Sequence, residues 1–215
     1  MHGRSSQSRQ TLVGSSGTLS NGQLVPPDAG IPRLERTYGW MLVRLAAACP
    51  VGTLLSKFER VSGMLVALCP DGEDAGTCRV RVRRFPGIEN NSRDWSGAMV
   101  LEHLTIVGRH ATELIRELCR GRTSSWVLRT QDVKPNGGIT RARSVAEFEA
   151  MVGEYVRRVR HAEDGIHSPT RHPHPWFGAL RCKQWVAFMT LHHMVHVPHM
   201  EAIRAGVDSP RGCWP

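Results

Sequence analysis

The chain has 215 residues, 40% of them hydrophobic, and carries a formal net charge of +9. This length suits one domain of medium size, and no stretch approaches the roughly 18–20 apolar residues that would cross a bilayer, so we expect a soluble protein. The positive charge is almost entirely arginine and is scattered along the chain, so nucleic-acid binding, which favours arginines clustered on one face, is not the function we expect.

Residues 1–30 are rich in Ser and Gly, lack hydrophobic periodicity and contain no apolar core of a signal peptide. Arg4 and Arg9, with no acidic residue before Asp28, faintly resemble an organellar transit peptide, but a disordered tail is the favoured interpretation. Without a targeting signal, we predict a cytoplasmic protein. Its six cysteines form no C-x-x-C pair, which predicts reduced and mostly buried thiols.

Apolar residues recur at helical spacing from Pro32, which suits a first helical turn, and this helix is predicted to stop at Pro50. Its stripe consists of Leu34, Tyr38, Met41, Leu42 and Leu45. Residues 53–68 form either a shorter helix or an extension of the first, and residues 69–72 are a turn signal. The weak alternation over 77–85 indicates a short strand or an extended connection, followed by a polar loop over 86–94.

Two further helices follow in the middle of the chain. Ser96 is a candidate N-cap for a long helix that runs to about Arg120 and places His103 within its apolar stripe. The long connection over 122–143 allows this helix and the next to run in the same direction. The stretch from Ser144 to Glu147 matches a capping box, which predicts the start of the next helix there. This helix is predicted to end near Arg160.

The fourth long helix is predicted to start near Cys182, after a loop over 164–180 that is rich in Pro, His and Gly. Together these patterns predict an all-α bundle over 31–206, with an irregular C-terminal tail over 207–215. Pro198 removes a backbone donor, so we expect a bend or an early end of the helix there.

One sector of this last helix, roughly 100° wide, carries histidines among bulky apolar residues. Its members are Trp185, Phe188, Met189, His192, His196, His199 and Ile203. His192 and His196 stand four residues apart, so their rings project from successive turns toward one point, as in helical metal sites. His103, on the core face of another helix, is the candidate third ligand.

Three neutral imidazoles plus water would make an open site for zinc, nickel or a similar divalent ion. The alternative is that all three are core histidines satisfied by hydrogen bonds. An enzyme would also need a proton acceptor, for which the candidates are His110 and His199; His199 is also a substitute ligand or a neighbour of one. His193 is expected on the flank of the helix. His172 and His174, in the Pro-rich loop, either line a pocket mouth or are simple turn residues, and the second interpretation is favoured.

Other ionisable groups carry weaker signals. Cys182 is expected to be a buried structural thiol rather than a reactive one. Glu102 faces about 100° away from His103, which predicts a solvated surface role unless packing brings it to a ligand. The chain has neither a Gly-rich phosphate-binding motif nor a G-x-S-x-G motif.

Two segments resemble a known family. Trp95-Ser96 followed by Leu101-Glu102-His103-Leu104 is similar to the second helix of DinB-like metal-binding bundles. The stretch HPHPWFGAL, then Gln184-Trp185, Phe188 and the pair His192 and His196, resembles the DUF1569 branch of that superfamily. Arg181-Cys182 departs from the Thr-Pro helix start usual in the family, and Pro198-His199 replaces residues that more often continue the helix.

The resemblance implies a four-helix bundle of up-down-down-up topology with His103, His192 and His196 as ligands of a divalent metal. It also implies a metal-dependent transferase or hydrolase, acting on a small-molecule substrate and using a low-molecular-weight thiol. The alternative function is a non-catalytic metal- or ligand-binding module of the same fold. Such bundles often pair through exposed helix faces, so a homodimer is a candidate assembly, although no patch in the sequence decides it.

Overall fold

The computed structural model describes residues 30–125 and 127–209, with the backbone alone at Glu163. Within them the chain forms six α-helices and one two-stranded sheet, which confirms a predominantly helical fold. The helices are α1 (Arg33–Ala46), α2 (Val51–Leu68), α3 (Glu73–Thr77), α4 (Gly97–Cys119), α5 (Arg141–His161) and α6 (Cys182–Val207). The predicted N-terminal tail, residues 1–30, lies outside the described residues except for residue 30. Of the predicted C-terminal tail, residues 207–215, only 207–209 are described, and Val207 is the last residue of α6. No helix among the described residues is long and apolar enough to cross a membrane.

The core lies between α2, α4, α5 and α6, where α4 packs on α5, α2 on α6, and α4 on α6. Fully buried side chains from each helix meet there, including Phe58, Leu104, Phe148 and Trp185. Gly108 lets α4 approach α5 closely, because a Cβ atom at this position would come within 2.1 Å of Met151 Sδ. The up-down-down-up order of a four-helix bundle remains a prediction.

The apolar stripe of α1 is not part of this core, contrary to the expectation from its spacing. Leu34, Tyr38 and Leu45 are 85%, 63% and 66% exposed, and Val43 is the buried residue of the helix. The interior position belongs instead to α2, which contributes a buried series from Val51 to Leu65. Hydrophobic periodicity identified both helices but could not tell which of them the core would accept.

The helix starts agree with the sequence at two places and differ at a third. Ser96 caps α4, with its side chain accepting a hydrogen bond from the Met99 amide, and α6 begins at Cys182 as predicted. The capping box at Ser144 is wrong, because Thr140 caps α5 and Ser144 lies inside the helix. Ser144 instead donates its hydroxyl proton to the carbonyl of Arg141.

The segment expected to be a loop over 164–180 contains an antiparallel hairpin of β1 (Arg171–His174) and β2 (Gly178–Arg181). His172 and His174 are therefore strand residues with buried side chains, 2% and 4% exposed, rather than turn residues. Residues 78–85 form an extended connection, one of the two alternatives predicted for them. Pro198 does not end α6, which continues to Val207.

The reduced state predicted for the cysteines is confirmed at four of them: Cys49, Cys69, Cys119 and Cys182 are free thiols. It is wrong at Cys78, which is disulfide-bonded. Cys213 lies outside the described residues. Spacing along the sequence showed no pair because disulfide partners are decided by the folded backbone.

Candidate metal centre

Three histidines from two helices meet at one point of the core. His103 of α4 and His192 and His196 of α6 each offer a ring nitrogen, and these atoms lie within 4.8 Å of one another. His103 and His196 are buried, and His192 is partly exposed. The structure therefore brings together the three residues selected from the sequence, in a group that could hold a metal ion.

A hydrogen bond from the connection between α4 and α5 fixes the protonation of His103. Its Nδ1 lies 2.6 Å from the carbonyl oxygen of Val133, which can only accept, so Nδ1 carries the proton. The lone pair is thus on Nε2, which faces His192 Nε2 at 3.2 Å. This is how metal-binding histidines are commonly oriented, with the second nitrogen held by a backbone carbonyl.

The connection that supplies this carbonyl is itself tied to α4. Glu102, expected to have a solvated surface role, accepts a hydrogen bond from the backbone amide of Gly137 at 3.2 Å. Because Glu102 is adjacent to His103 in sequence, this contact holds the connection near the histidine that Val133 orients. Sequence spacing could not reveal this contact, because it joins residues 35 positions apart.

Burial keeps the three imidazoles neutral. Desolvation lowers the pKa of His103 to about 4, against a weaker opposing effect of the hydrogen bond to Val133. Desolvation, followed by the neighbouring imidazoles, lowers the pKa values of His192 and His196 well below the usual range. Neutral rings present the lone pairs that a metal ion requires, without competition from protons at pH 7.

Aromatic rings hold the histidines in place. Phe188 stacks on His192 at a centroid distance of 5.4 Å, one turn earlier on α6. Trp95 lies 5.0 Å from the ring of His103 and nearly parallel to that of His196, at 6.5 Å. These contacts restrict the rotation of all three rings and surround them with apolar surface.

The histidines line a cavity of about 70 Å³, which we call the histidine cavity. Its wall also contains Glu89, Lys134, His174 and Trp176. Glu89 lies in the loop expected to be merely polar, and its pKa is raised by burial, an effect that Lys134 partly opposes. Its Oε1 atom is buried without a hydrogen-bond partner among the described residues. Sequence reasoning missed Glu89, since a single carboxylate in a loop carries no pattern.

The two candidate proton acceptors lie at different positions. His199 is fully buried, and its Nδ1 lies 3.3 Å from His196 Nδ1, so it is a direct neighbour of a candidate ligand. Desolvation, followed by the effect of His103, lowers the pKa of His199 to about 4. His110 is partly exposed and is not among the described residues that line the histidine cavity.

His193 is a core residue and not the flank residue expected. It is fully buried between Phe58 and Phe148, with ring centroids at 4.3 and 5.5 Å. The Ser62 hydroxyl donates to the carbonyl of Phe58, so its oxygen accepts a hydrogen bond from His193 Nδ1 at 2.9 Å. His193 is therefore a hydrogen-bonded core residue.

No family model matches this chain, and comparisons with curated proteins and with solved structures also found no match. The likeness to DinB-like bundles consequently rests on the motifs of the sequence and stays a prediction. The geometry of the histidines stands independently of that likeness.

Proposed function

We propose that this protein binds one divalent metal ion, zinc or nickel, through His103, His192 and His196. The observation that carries the proposal is the convergence of three neutral imidazole nitrogens, one of them with its tautomer fixed by Val133. Three nitrogen ligands leave one position open, which is typical of catalytic rather than structural zinc sites. The family we infer is the DinB-like superfamily with its four-helix topology.

We further propose a metal-dependent transferase or hydrolase that acts on a small molecule, with a low-molecular-weight thiol as a candidate second substrate. A bound divalent ion would lower the pKa of water or of a thiol and polarise a carbonyl group. Glu89 is the candidate acceptor of the proton that such a group loses, because it lines the histidine cavity and one oxygen of its carboxylate has no hydrogen-bond partner among the described residues. The cavity wall includes the aromatic side chains of Trp95, Phe188 and Trp176.

The test is the metal content of the purified protein after incubation with zinc or nickel and removal of excess ion. We expect about one ion per chain in the wild type and its loss in His103→Ala and His192→Ala. His161→Ala is the matched control, because His161 is exposed and lies on α5. Equal metal content in all four proteins, or no metal in the wild type, would contradict the proposal.

A catalytic role is separated from a binding module by the Glu89→Gln variant. The amide keeps the size of the side chain and removes its capacity to accept a proton. If the protein is a hydrolase, this variant retains its metal and loses activity. If the wild type, like Glu89→Gln, shows no activity with any thiol or ester tested, the binding module is the better description.

A further inference from the structure

A second cavity, of about 370 Å³, adjoins the histidine cavity, and we call it the apolar cavity. It lies between α1, residues 85–87, the tip of the hairpin and α6 from Phe188 to Pro198. Its volume is within the range of small-molecule sites, which are roughly 300–1,000 Å³. The proposed function above does not use it.

The two cavities share a wall. Gly87, Trp176, Phe188 and His192 line both of them. His192 therefore lies at the boundary between the histidine cavity and the apolar cavity. The apolar cavity is therefore the neighbouring space for the rest of a molecule whose reacting group sits beside the histidines.

The lining of the apolar cavity is hydrocarbon and aromatic. It is built mainly from side chains of α1 and α6, among them Leu42, Val43, Leu191, Met194 and Val195. Burial of methylene groups against such a surface is favourable by about 0.8 kcal/mol each. The recognised group is therefore apolar.

The ionisable residues among the described lining are Glu35 and His192, and neither presents a free charge. Both carboxylate oxygens of Glu35 accept hydrogen bonds from Arg84 Nη2, at 2.8 and 2.7 Å. The backbone amide of Gly87 donates a third, at 2.9 Å. Since the charge of Glu35 is already compensated, the described lining offers no partner for a charged ligand body.

Two glycines shape the walls of the apolar cavity. A Cβ atom on Gly39 would lie 2.8 Å from Phe177 Cε1, so the absence of a side chain lets the hairpin tip approach α1. Gly87 has a φ angle of +83°, and a Cβ atom there would lie 3.1 Å from Val195 Cγ1. The two glycines thus allow Phe177 to pack against α1 and the turn at Gly87 to pack against α6.

We propose that the apolar cavity binds the uncharged aliphatic or aromatic body of the small molecule whose reacting group meets the metal, so the substrate class is a hydrophobic ester, acyl compound or thiol. This inference rests on the proposed function for the metal-bound group, but the cavity itself can be tested without metal. Leu42 and Leu45 offer a matched pair on α1, because Leu42 lines the cavity and Leu45 is 66% exposed outside its lining.

The first experiment uses N-phenylnaphthylamine, a neutral fluorophore that brightens in apolar surroundings, with metal-free protein. We expect saturable binding at one site per chain, weakened at least tenfold by Leu42→Trp and by Leu191→Trp, and unchanged by Leu45→Trp. The two lining variants act from different helices, so a folding defect in one leaves the other to decide. Equal weakening by Leu45→Trp, or no saturable binding, would overturn the proposal.

The second experiment measures binding of straight-chain alkyl hydroxamic acids to the zinc-loaded protein, because the hydroxamate group chelates the ion and the chain reports on the cavity. We expect affinity to rise about fourfold per methylene until the cavity is filled, with the plateau reached at shorter chains in Leu42→Trp. Affinity independent of chain length overturns the apolar cavity and leaves the metal site intact. Fluorophore binding without any zinc-dependent hydroxamate binding supports the cavity and contradicts the metal site.

A second copy of the chain is the competing occupant, because α1 has an exposed apolar stripe beside the cavity. That occupant predicts that fluorophore binding decreases as the protein concentration is raised and dimers form, as measured by light scattering. Such a decrease would overturn the small-molecule assignment. Binding independent of protein concentration supports it.

Discussion

At the scale of single residues, the clearest contrast is between two adjacent histidines of α6. His192 joins His103 and His196 at the histidine cavity, whereas His193 is enclosed by two phenylalanines and bonded to Ser62. One position along a helix rotates a side chain by about 100°, which is enough to change a candidate ligand into a core residue. Both residues are histidines, so residue type alone does not determine which of them is a candidate ligand and which is a core residue.

The burial of His193 predicts an acid-sensitive fold. Desolvation, followed by the effect of His103, lowers its pKa to about 3, against about 6.5 in an unfolded chain. Between these values the unfolded state binds more protons, so the contribution of His193 to stability is complete above pH 6.5 and falls as the pH decreases toward 3, by about 1.4 kcal/mol per unit. The other buried histidines whose pKa values are lowered add to this loss, so we expect chemical denaturation at several pH values to show a total slope steeper than the share of His193.

The variant that isolates this effect is His193→Asn. The amide nitrogen can still donate to Ser62, but the side chain no longer takes up a proton. We expect a shallower loss of stability below pH 6 in this variant and an unchanged slope in His161→Asn, where the ring is exposed. An identical slope in wild type and His193→Asn would assign the acid sensitivity to the other buried histidines.

The carboxylate of Glu89 carries the second prediction at this scale. We expect Glu89→Gln to retain its metal and to hydrolyse p-nitrophenyl acetate about a hundredfold more slowly, the usual contribution of a positioned general base. The wild-type rate should fall with decreasing pH through a pKa above that of an ordinary glutamate, because burial raises the pKa of Glu89. Loss of metal in the variant would mean that Glu89 supports binding rather than proton transfer.

At the scale of elements, the start of α5 separates a sequence motif from a structural cap. Thr140→Ala removes the oxygen that accepts the Arg143 amide proton, and we expect a loss of about 1 kcal/mol in unfolding free energy. Ser144→Ala removes a buried hydroxyl that donates to a carbonyl of the same helix and caps no backbone amide, so we expect a smaller loss than in Thr140→Ala. Thermal or urea denaturation measures both changes in unfolding free energy. A larger loss in Ser144→Ala than in Thr140→Ala would instead favour Ser144 as the cap of α5.

Two free thiols lie in contact where the end of α4 meets the start of α6. Cys119 Sγ and Cys182 Sγ lie 2.9 Å apart, and Cys182 is fully buried, as expected for a structural thiol. The hydrogen bond to Cys119, followed by burial, raises the pKa of Cys182, whereas the same bond lowers that of Cys119. Cys119 is therefore the member of the pair more easily ionised.

We expect the oxidant diamide to convert this pair to a disulfide, with the loss of two protons and the transfer of two electrons to diamide. Peptide mapping of the non-reduced protein should recover residues of α4 and α6 in one cross-linked fragment. Cys119→Ser should abolish the cross-link, and Cys49→Ser should leave it unchanged. A protein that retains both free thiols after diamide treatment would contradict this prediction.

At the scale of the whole molecule, the candidate metal centre joins α4 to α6, so an ion bound there should stabilise the fold. Binding to the native state alone contributes about 2.7 kcal/mol when the free ion is at 100 times its Kd. We expect zinc to raise the Tm of the wild type and of His161→Ala but not that of His192→Ala. A rise of equal size in His192→Ala would indicate binding elsewhere.

The sequence by itself determined several properties of this protein because they depend on local spacing. Periodicity located the long helices, Ser96 identified the start of α4, and four-residue spacing placed His192 and His196 on one side of α6. The choice of His103 needed only the assumption that apolar faces meet in one core. These features follow from backbone geometry within a single element.

Only the tertiary structure decided the remainder, because it depends on which surfaces meet. The outward orientation of the α1 stripe, the burial of His193, His172 and His174, and the carbonyl of Val133 on His103 all arise between segments distant in sequence. Glu89 faces the histidine cavity for the same reason. A local pattern specifies that a helix has an apolar face, but the competition among all such faces for one core determines which are buried.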